Sequence, residues 1–465
     1  MLRGLALTLV AASLAVAAAC SGGDDAGDVD SSVDAVATTD AAPADASPDA
    51  YVYDGGMPIK HVIVIVKENH TFDNYFGTWD AGGETPQLTA KLHDGKTITR
   101  PKCPSAGITR DLSHSHASAV QAFHDGGMNG LDLNANTVAP PDGGKNDYLA
   151  WCYFDESNQL DVYAALAKSY TLADHFFTTT LAPSFPGHLA SAIGQSPAYD
   201  NPGCPSTDPT CQDAKSAWGC VDEKGITVDT FDPDTCTTTG AKFPCWDLPT
   251  WMDEMPSDLD WRVYGGFHYT DDAGAPVILS PFNAVKKHAT AAERIAHFRD
   301  EKELAADIAG LKTLPAVMFW SDADYKSEHP PSSPCAGEMQ DAMLLQEIMA
   351  RPEWNETAVL ITFDDWGGFY DHVAPKVERC KNGEFYNPGF RVPLLVVSPF
   401  ARPGYVFTGV SEQASIPRFI AEVFGLPFAS AKDPHARDGK AGSLLGAFDF
   451  TQPPRPGVPP PLTCP

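Results

Sequence analysis

Positive charge is scarce in this chain: 32 lysines and arginines stand against 61 aspartates and glutamates over 465 residues, a formal net charge of −29. Phosphate backbones are gripped by clustered Lys and Arg, so nucleic acid is not an expected partner. Broad electrostatic adhesion to anionic membranes is disfavoured for the same reason. There is no CxxC pair and no compact Cys/His set with the spacing of a structural zinc site. No internal repeat is present. The apolar run at the N-terminus, Leu5–Val16, is too short for a membrane anchor.

What the chain does have is 43% hydrophobic residues, enough for one large or two ordinary domains with a buried core. Arg3, the apolar run and Ala17-Ala18-Ala19 read as an export signal over residues 1–19. Cys20 follows at once and resembles the lipid-accepting cysteine of bacterial lipoproteins, although Ala17 stands where that signal more often has Leu. A lipid there would give membrane contact through an anchor, at the outer membrane or cell surface; ordinary cleavage would give a secreted protein. Residues 20–57 are mostly Asp, Ala, Ser, Gly and Pro and read as a solvated tether. Ten further cysteines in an exported chain favour disulfides.

At His61 the composition changes to HVIVIV, a β-branched run suited to a strand buried on both faces of a parallel sheet. Similar runs lie at Ala316–Phe319, Ala358–Phe363 and Val392–Ser398, and helical patterns at Ala291–Leu311, Glu338–Ala350 and Ser415–Phe424. This alternation predicts a three-layer α/β/α fold with a mostly parallel central sheet, whose ligands collect beyond the carboxyl ends of the strands. The stretch 198–249 carries five cysteines among Pro, Gly, Asp and Thr and reads as a disulfide-tied insertion or cap on the sheet edge. The Pro-rich end, 451–465, reads as a surface strap, with Cys464 as a point of attachment.

Chemistry gathers where strands should stop. Glu68-Asn69 follows HVIVIVK, and Asp364-Asp365 follows VLITF ahead of a Gly367-Gly368 turn. One carboxylate at a strand end is ordinarily just solvated. Two adjacent ones repel unless a cation or donors lie between them, which points to a hard-metal site. Ser184 sits in PSFPGHL, where prolines restrict the backbone and a helix start would present amides to an anion. DLSHSH, with His114 and His116, SEHPP, with Glu328 and His329, and YDHV, with His372, supply histidines, each unremarkable alone.

Taken in order, ENHTFDNYFG, DLSHSH, DGGMNG, YTLADHFF, PSFPGHL, EHPPSS, FDDWGGFYDHV, RVPLLVVSPFARPG and AFDF resemble the bacterial phosphoesterase family of phospholipases C and a related acid phosphatase, over about Pro58 to Phe450. The resemblance implies an alkaline phosphatase-like fold and a catalytic domain over 58–450. It also implies a divalent metal ion held by Glu68, Asn69, Asp364 and Asp365, with Ser184 as nucleophile and His114, His329 and His372 around the phosphoryl group. His114 is preferred to His116 because the family spacing is Asp, two residues, His, as from Asp111 to His114. Departures are Gly187 for an amide residue, Asp365 for Glu, Glu328 for Asp and Gln413 for His. The expected function is hydrolysis of a phosphoester, with phospholipid as a candidate substrate, by a phospholipase C-type phosphodiesterase acting through a phosphoseryl intermediate. The alternatives are a phosphomonoesterase of the same fold and a surface lipoprotein that keeps the fold only for binding.

Overall fold

The strand His61–Lys67 (β1) occupies the middle of an eight-stranded sheet, as its unbroken apolar run requires: Val62, Val64 and Val66 on one face and Ile63 and Ile65 on the other are all at most 2% exposed. In this computed structural model the described residues are 56–463 apart from 80–86, 106, 135–147, 157, 206–215, 223–224, 233, 236, 323–325 and 380–384. The export signal, Cys20, nearly all of the tether and Cys464 lie outside them.

The other strands of the sheet are β2 (Thr171–Ala173), β3 (Trp261–Gly265), β4 (Phe298–Asp300), β5 (Val317–Ser321), β6 (Thr357–Phe363), β7 (Leu394–Val397) and β8 (Tyr405–Phe407), in the order β4-β3-β5-β1-β6-β7-β2-β8. All run parallel except β7, which opposes both of its neighbours. The helices are α1 (Phe72–Phe76), α2 (His116–Phe123), α3 (Asp161–Ser169), α4 (Ser184–Ile193), α5 (Ala291–His297), α6 (Leu304–Gly310), α7 (Pro334–Ala350) and α8 (Ser415–Phe424).

Two helical layers follow from the end of β1. Successive side chains of a strand point to opposite faces. Lys67 accordingly reaches Asp341 on α7, whereas Glu68 reaches His188 on α4. Helices α3, α6 and α7 pack together, and α4 packs with α8. The expected α/β architecture is therefore present.

Its details differ in places. Ala291–Leu311 is not one helix: α5 ends at His297, Phe298–Asp300 pairs with Val263–Gly265 at the sheet edge, and the Asp300 side chain accepts from Lys302 N at 3.1 Å to start the next turn. Burial of Phe298 against the sheet outweighs a helical periodicity that would otherwise run through it. Helix α7 starts at Pro334, four residues before the expected Glu338, because Pro is favoured in a first helical turn.

Disulfides join Cys103 to Cys152 and Cys220 to Cys245. Within 198–249, Val228–Asp232 and Thr237–Lys242 form a hairpin, and the stretch meets the start of α4 through Asn201, whose Oδ1 accepts from Phe185 N at 2.7 Å. At the C-terminus, Trp354 Nε1 donates to Arg455 O at 3.0 Å and Val458 N to Tyr170 Oη at 2.7 Å. Among the described residues no helix is long and apolar enough to cross a membrane.

Beneath the sheet, Lys67 Nζ lies 3.1 Å from Asp341, 3.2 Å from Asp322 and 3.8 Å from Glu328, all of them buried. Tyr75 and Tyr163 donate to Glu328 at 2.6 and 2.5 Å. Burial, together with the Asp341 charge and against the attraction of Lys67, pushes Glu328 up from 4.5 to about 8. The folded chain thus keeps a proton that the unfolded chain releases, so this group's contribution to stability is full below pH 4.5 and is lost as pH rises towards 8. Glu328→Gln, neutral throughout, is expected to flatten the decline of the unfolding temperature across that window. An unchanged pH profile in the variant would assign the decline to another group.

Candidate active site

Strands β1 and β6 lie side by side in parallel register, Lys67 opposite Phe363, and Asp364 N donates to Lys67 O at 2.9 Å. Both therefore release their next residues at the same edge of the sheet. Asn69 turns back with φ +66°, and its amide donates to Asp364 Oδ1 at 3.1 Å. Gly367 and Gly368 take φ +61° and +77° in the turn after Asp365, and a Cβ on Gly367 would lie 2.1 Å from Asn69 O. Only glycine fits that crossing.

Helix α4 brings Ser184 against this edge. Ser184 is buried, and its hydroxyl donates to Asp365 Oδ2 at 3.2 Å, while Asp365 Oδ1 accepts from Gly367 N at 2.6 Å. One turn further on, His188 shares the Ser184 face, as residues four apart on a helix do. Its Nε2 lies 3.4 Å from Glu68 Oε1 and 3.6 Å from Asp364 Oδ2. Ligand atoms of Glu68, His188 and Asp364 all lie within 4.8 Å of one another.

Two further histidines stand beside this group. His114 Nδ1 donates to Leu112 O at 2.7 Å, leaving Nε2 to face the Asn69 amide at 3.3 Å. His329 Nδ1 donates to Pro330 O at 2.7 Å, and its Nε2 lies 4.0 Å from Glu68 Oε2. The two rings are 6.0 Å apart, and both side chains are partly exposed. His116 instead donates to Leu181 O at 2.6 Å.

Electrostatics set this edge apart. Burial, then the charges of Asp365 and Glu68, hold Asp364 well above the carboxylate range. Burial and the Glu68 charge do the same to Asp365. Burial also opposes ionisation of Glu68, but the His188 hydrogen bond and the charges of His188, His329 and His114 bring it below its ordinary value. For His188, burial is outweighed by Glu68 and Asp364, and the ring is raised. Crowded carboxylates with an imidazole among them are a donor set that fits a divalent cation, whose charge would relieve the repulsion.

A model of the Phosphoesterase family matches residues 59–427. The chain belongs to that family. It is 26% identical over 446 residues to a non-hemolytic phospholipase C of Pseudomonas aeruginosa, covering 85% of this chain and 58% of the relative. It is 24% identical over 459 residues to phospholipase C A of Mycobacterium tuberculosis, covering 87% and 80%. The chain thus spans little more than half the length of the Pseudomonas relative. A solved structure of a protein in the alkaline phosphatase superfamily from Vibrio parahaemolyticus aligns with 80% of this chain and 68% of its own, with a TM-score of 0.35 and 10% identity. The fold assignment rests on the sheet itself.

In this member of the Phosphoesterase family, Ser184, Glu68, Asn69, Asp364, Asp365, His114 and His329 come together at one edge. His372 does not join them. Its Nδ1 bonds to Asp73 Oδ2 at 2.8 Å, and Arg391 Nη2 donates to Asp73 Oδ1 at 2.8 Å and Nε to Asp371 Oδ1 at 3.1 Å. The Gly-Gly turn redirects the chain, so nearness in sequence to Asp364 does not carry His372 to the same place. Asp365 meets Ser184 and lies near enough to the Glu68–His188–Asp364 group for its charge to act on Asp364, and His188 was not anticipated. Its signal in the sequence is the four-residue spacing from Ser184.

Two departures from the family pattern have local explanations. A Cβ on Gly187 would lie 2.0 Å from Asp364 O, so glycine lets α4 sit directly on the end of β6. Gln413 Oε1 accepts from Thr179 N at 3.0 Å and its Nε2 donates to Phe363 O at 3.2 Å, tying the segment before Ser184 to the same strand end. Gly187→Ala must push these elements apart. It is expected to destabilise by about 1–3 kcal/mol and to depress any activity of the site further than the stability loss explains. A variant with wild-type unfolding and turnover would show that this contact is not needed.

Proposed function

We propose that the chain is a metal-dependent phosphoric ester hydrolase of the phospholipase C type, with Ser184 as nucleophile. The observation that carries this reading is the buried Ser184 hydroxyl, donating at 3.2 Å to Asp365 at the start of α4, beside the Glu68–His188–Asp364 group. Family membership and relatives named phospholipase C support the reaction class.

In this reading Glu68, His188 and Asp364 hold the cation, with Asn69 fixing Asp364 through its amide. When bound, the cation supplies positive charge to a phosphoryl oxygen and to the attacking oxygen. With the charge of a nearby cation opposing the upward shift of Asp365 and favouring its carboxylate, Asp365 Oδ2 would take the proton of Ser184 as Oγ bonds to phosphorus, giving a phosphoseryl intermediate and releasing an alkoxide. His114 and His329 each reach the site through Nε2, since Nδ1 of each is committed to a backbone carbonyl. Through Nε2 they can hydrogen-bond phosphoryl oxygens, and one of them would pass a proton to the leaving group. Water then attacks phosphorus and gives a proton to the histidine that protonated the leaving group, while the P–Oγ bond breaks and Asp365 returns its proton to Ser184. Export and a lipid on Cys20 would place this site at the cell envelope. Fatty-acid labelling of the mature protein, lost in Cys20→Ser, checks that step, and an unlabelled wild type contradicts it.

Side-by-side assay of a phosphorylcholine diester and a chromogenic phosphomonoester decides the substrate class, with the diester expected to turn over faster. A strong preference for the monoester would favour the phosphatase alternative. Ser184→Ala is expected to lose on the order of a thousandfold or more in turnover while keeping its fold and bound metal. Near-normal turnover in that variant would remove Ser184 from the mechanism, and the absence of both activities from metal-loaded wild type would favour a binding role.

A further inference from the structure

Trp218 lies in the cysteine-rich insertion with φ +68°, a left-handed conformation that a bulky side chain rarely adopts and that surrounding structure must enforce. The Asp222 carboxylate closes the turn around it, accepting from Ala217 N at 2.5 Å, Gly219 N at 3.0 Å and Ser216 Oγ at 2.9 Å. Cys220 N donates to Asn283 O at 2.8 Å, and Asn283 Nδ2 donates back to Ala217 O at 2.7 Å. Gly219 lies so close to Asn283 that a Cβ would stand 2.1 Å from its carbonyl carbon. The Cys220–Cys245 disulfide fastens the end of the turn.

The product of these attachments is an indole held 5.2 Å from the His188 ring and 5.8 Å from that of Phe185, the residue after Ser184. His188 is fully buried. Its Nε2 faces Glu68 and Asp364, and its Nδ1 has no hydrogen-bond partner among the described residues. Histidines that serve a metal are ordinarily oriented by a hydrogen bond from the second nitrogen. Here the Nδ1 edge has no such bond, and the Trp218 indole is the ring packed beside it.

We propose that Trp218 is the positioning residue for His188, and that the insertion thereby sets the affinity of the centre for its cation. The inference rests on the metal reading given above. Full-length protein is loaded with Zn²⁺ or Ca²⁺, each tested alone, and its retention titrated against a chelator, with kcat and KM measured in parallel. Trp218→Ala is expected to loosen the metal by about 10- to 100-fold and to lower kcat with KM little changed, because the indole acts through His188. Trp218→Phe, which keeps an aromatic wall, is expected to recover most of the loss. Asp222→Ala, which leaves every side chain of the centre in place, is expected to weaken retention in the same direction. A wild type that holds no cation would overturn the centre and this inference together. A wild type that holds one as tightly as Trp218→Ala does would overturn this inference alone. If Trp218→Ala lacks a cooperative unfolding transition, Trp218→Leu takes its place, and wild-type retention in that variant is equally decisive.

Discussion

Everything at the candidate site depends on two parallel neighbours, β1 and β6, ending at the same level. Their register runs unbroken from His61 opposite Thr357 to Lys67 opposite Phe363, so Glu68 and Asp364 leave the sheet side by side. Strand alternation then sorts the charges: Lys67 goes to the α7 face with Asp341, and Glu68 to the α4 face with His188. Two electrostatically costly arrangements, a buried ammonium with three carboxyls and a cluster of crowded acids, are thereby held on opposite sides of one strand. The first is compensated within the protein, the Lys67 charge facing the carboxyls and two tyrosine hydroxyls donating to Glu328. The second has a donor set that fits an added cation.

Backbone contact fixes how closely the Ser184 segment approaches that edge. Gly187 lets α4 rest on Asp364 O, Gly367 crosses Asn69 O, and Gln413 ties Phe363 to Thr179. None of these three supplies a reacting group. They convert a sheet edge into a site by setting distances between Ser184, Asp365 and the Glu68–His188–Asp364 group, which is the preorganisation that phosphoryl chemistry rewards.

Much of this was legible in the amino-acid order. HVIVIV and AVLITF are nearly unbroken apolar, β-branched runs that fit strands buried on both faces, and Ser415–Phe424 forms a helix over the expected residues. Carboxylates at the ends of two such runs mark the edge in the sequence itself. Less legible were β2, β3 and β8, whose short runs carry no periodicity of their own and are strands because neighbours pair with them. His372 follows a Gly-Gly turn whose direction the sequence does not state, and it meets Asp73 instead of the site. Trp218 reaches His188 only through a disulfide pairing and a strained turn, neither of which spacing reveals.

If the proposed function holds, one edge of the sheet brings a cation and the Ser184 hydroxyl to the same phosphoryl group. Anomalous diffraction from crystals grown with a divalent cation and vanadate tests it in one experiment. The expected result is a cation peak among Glu68, His188 and Asp364, and vanadium against Ser184 Oγ within reach of His114 and His329. A cation bound elsewhere, or vanadium joined to another side chain, would contradict it.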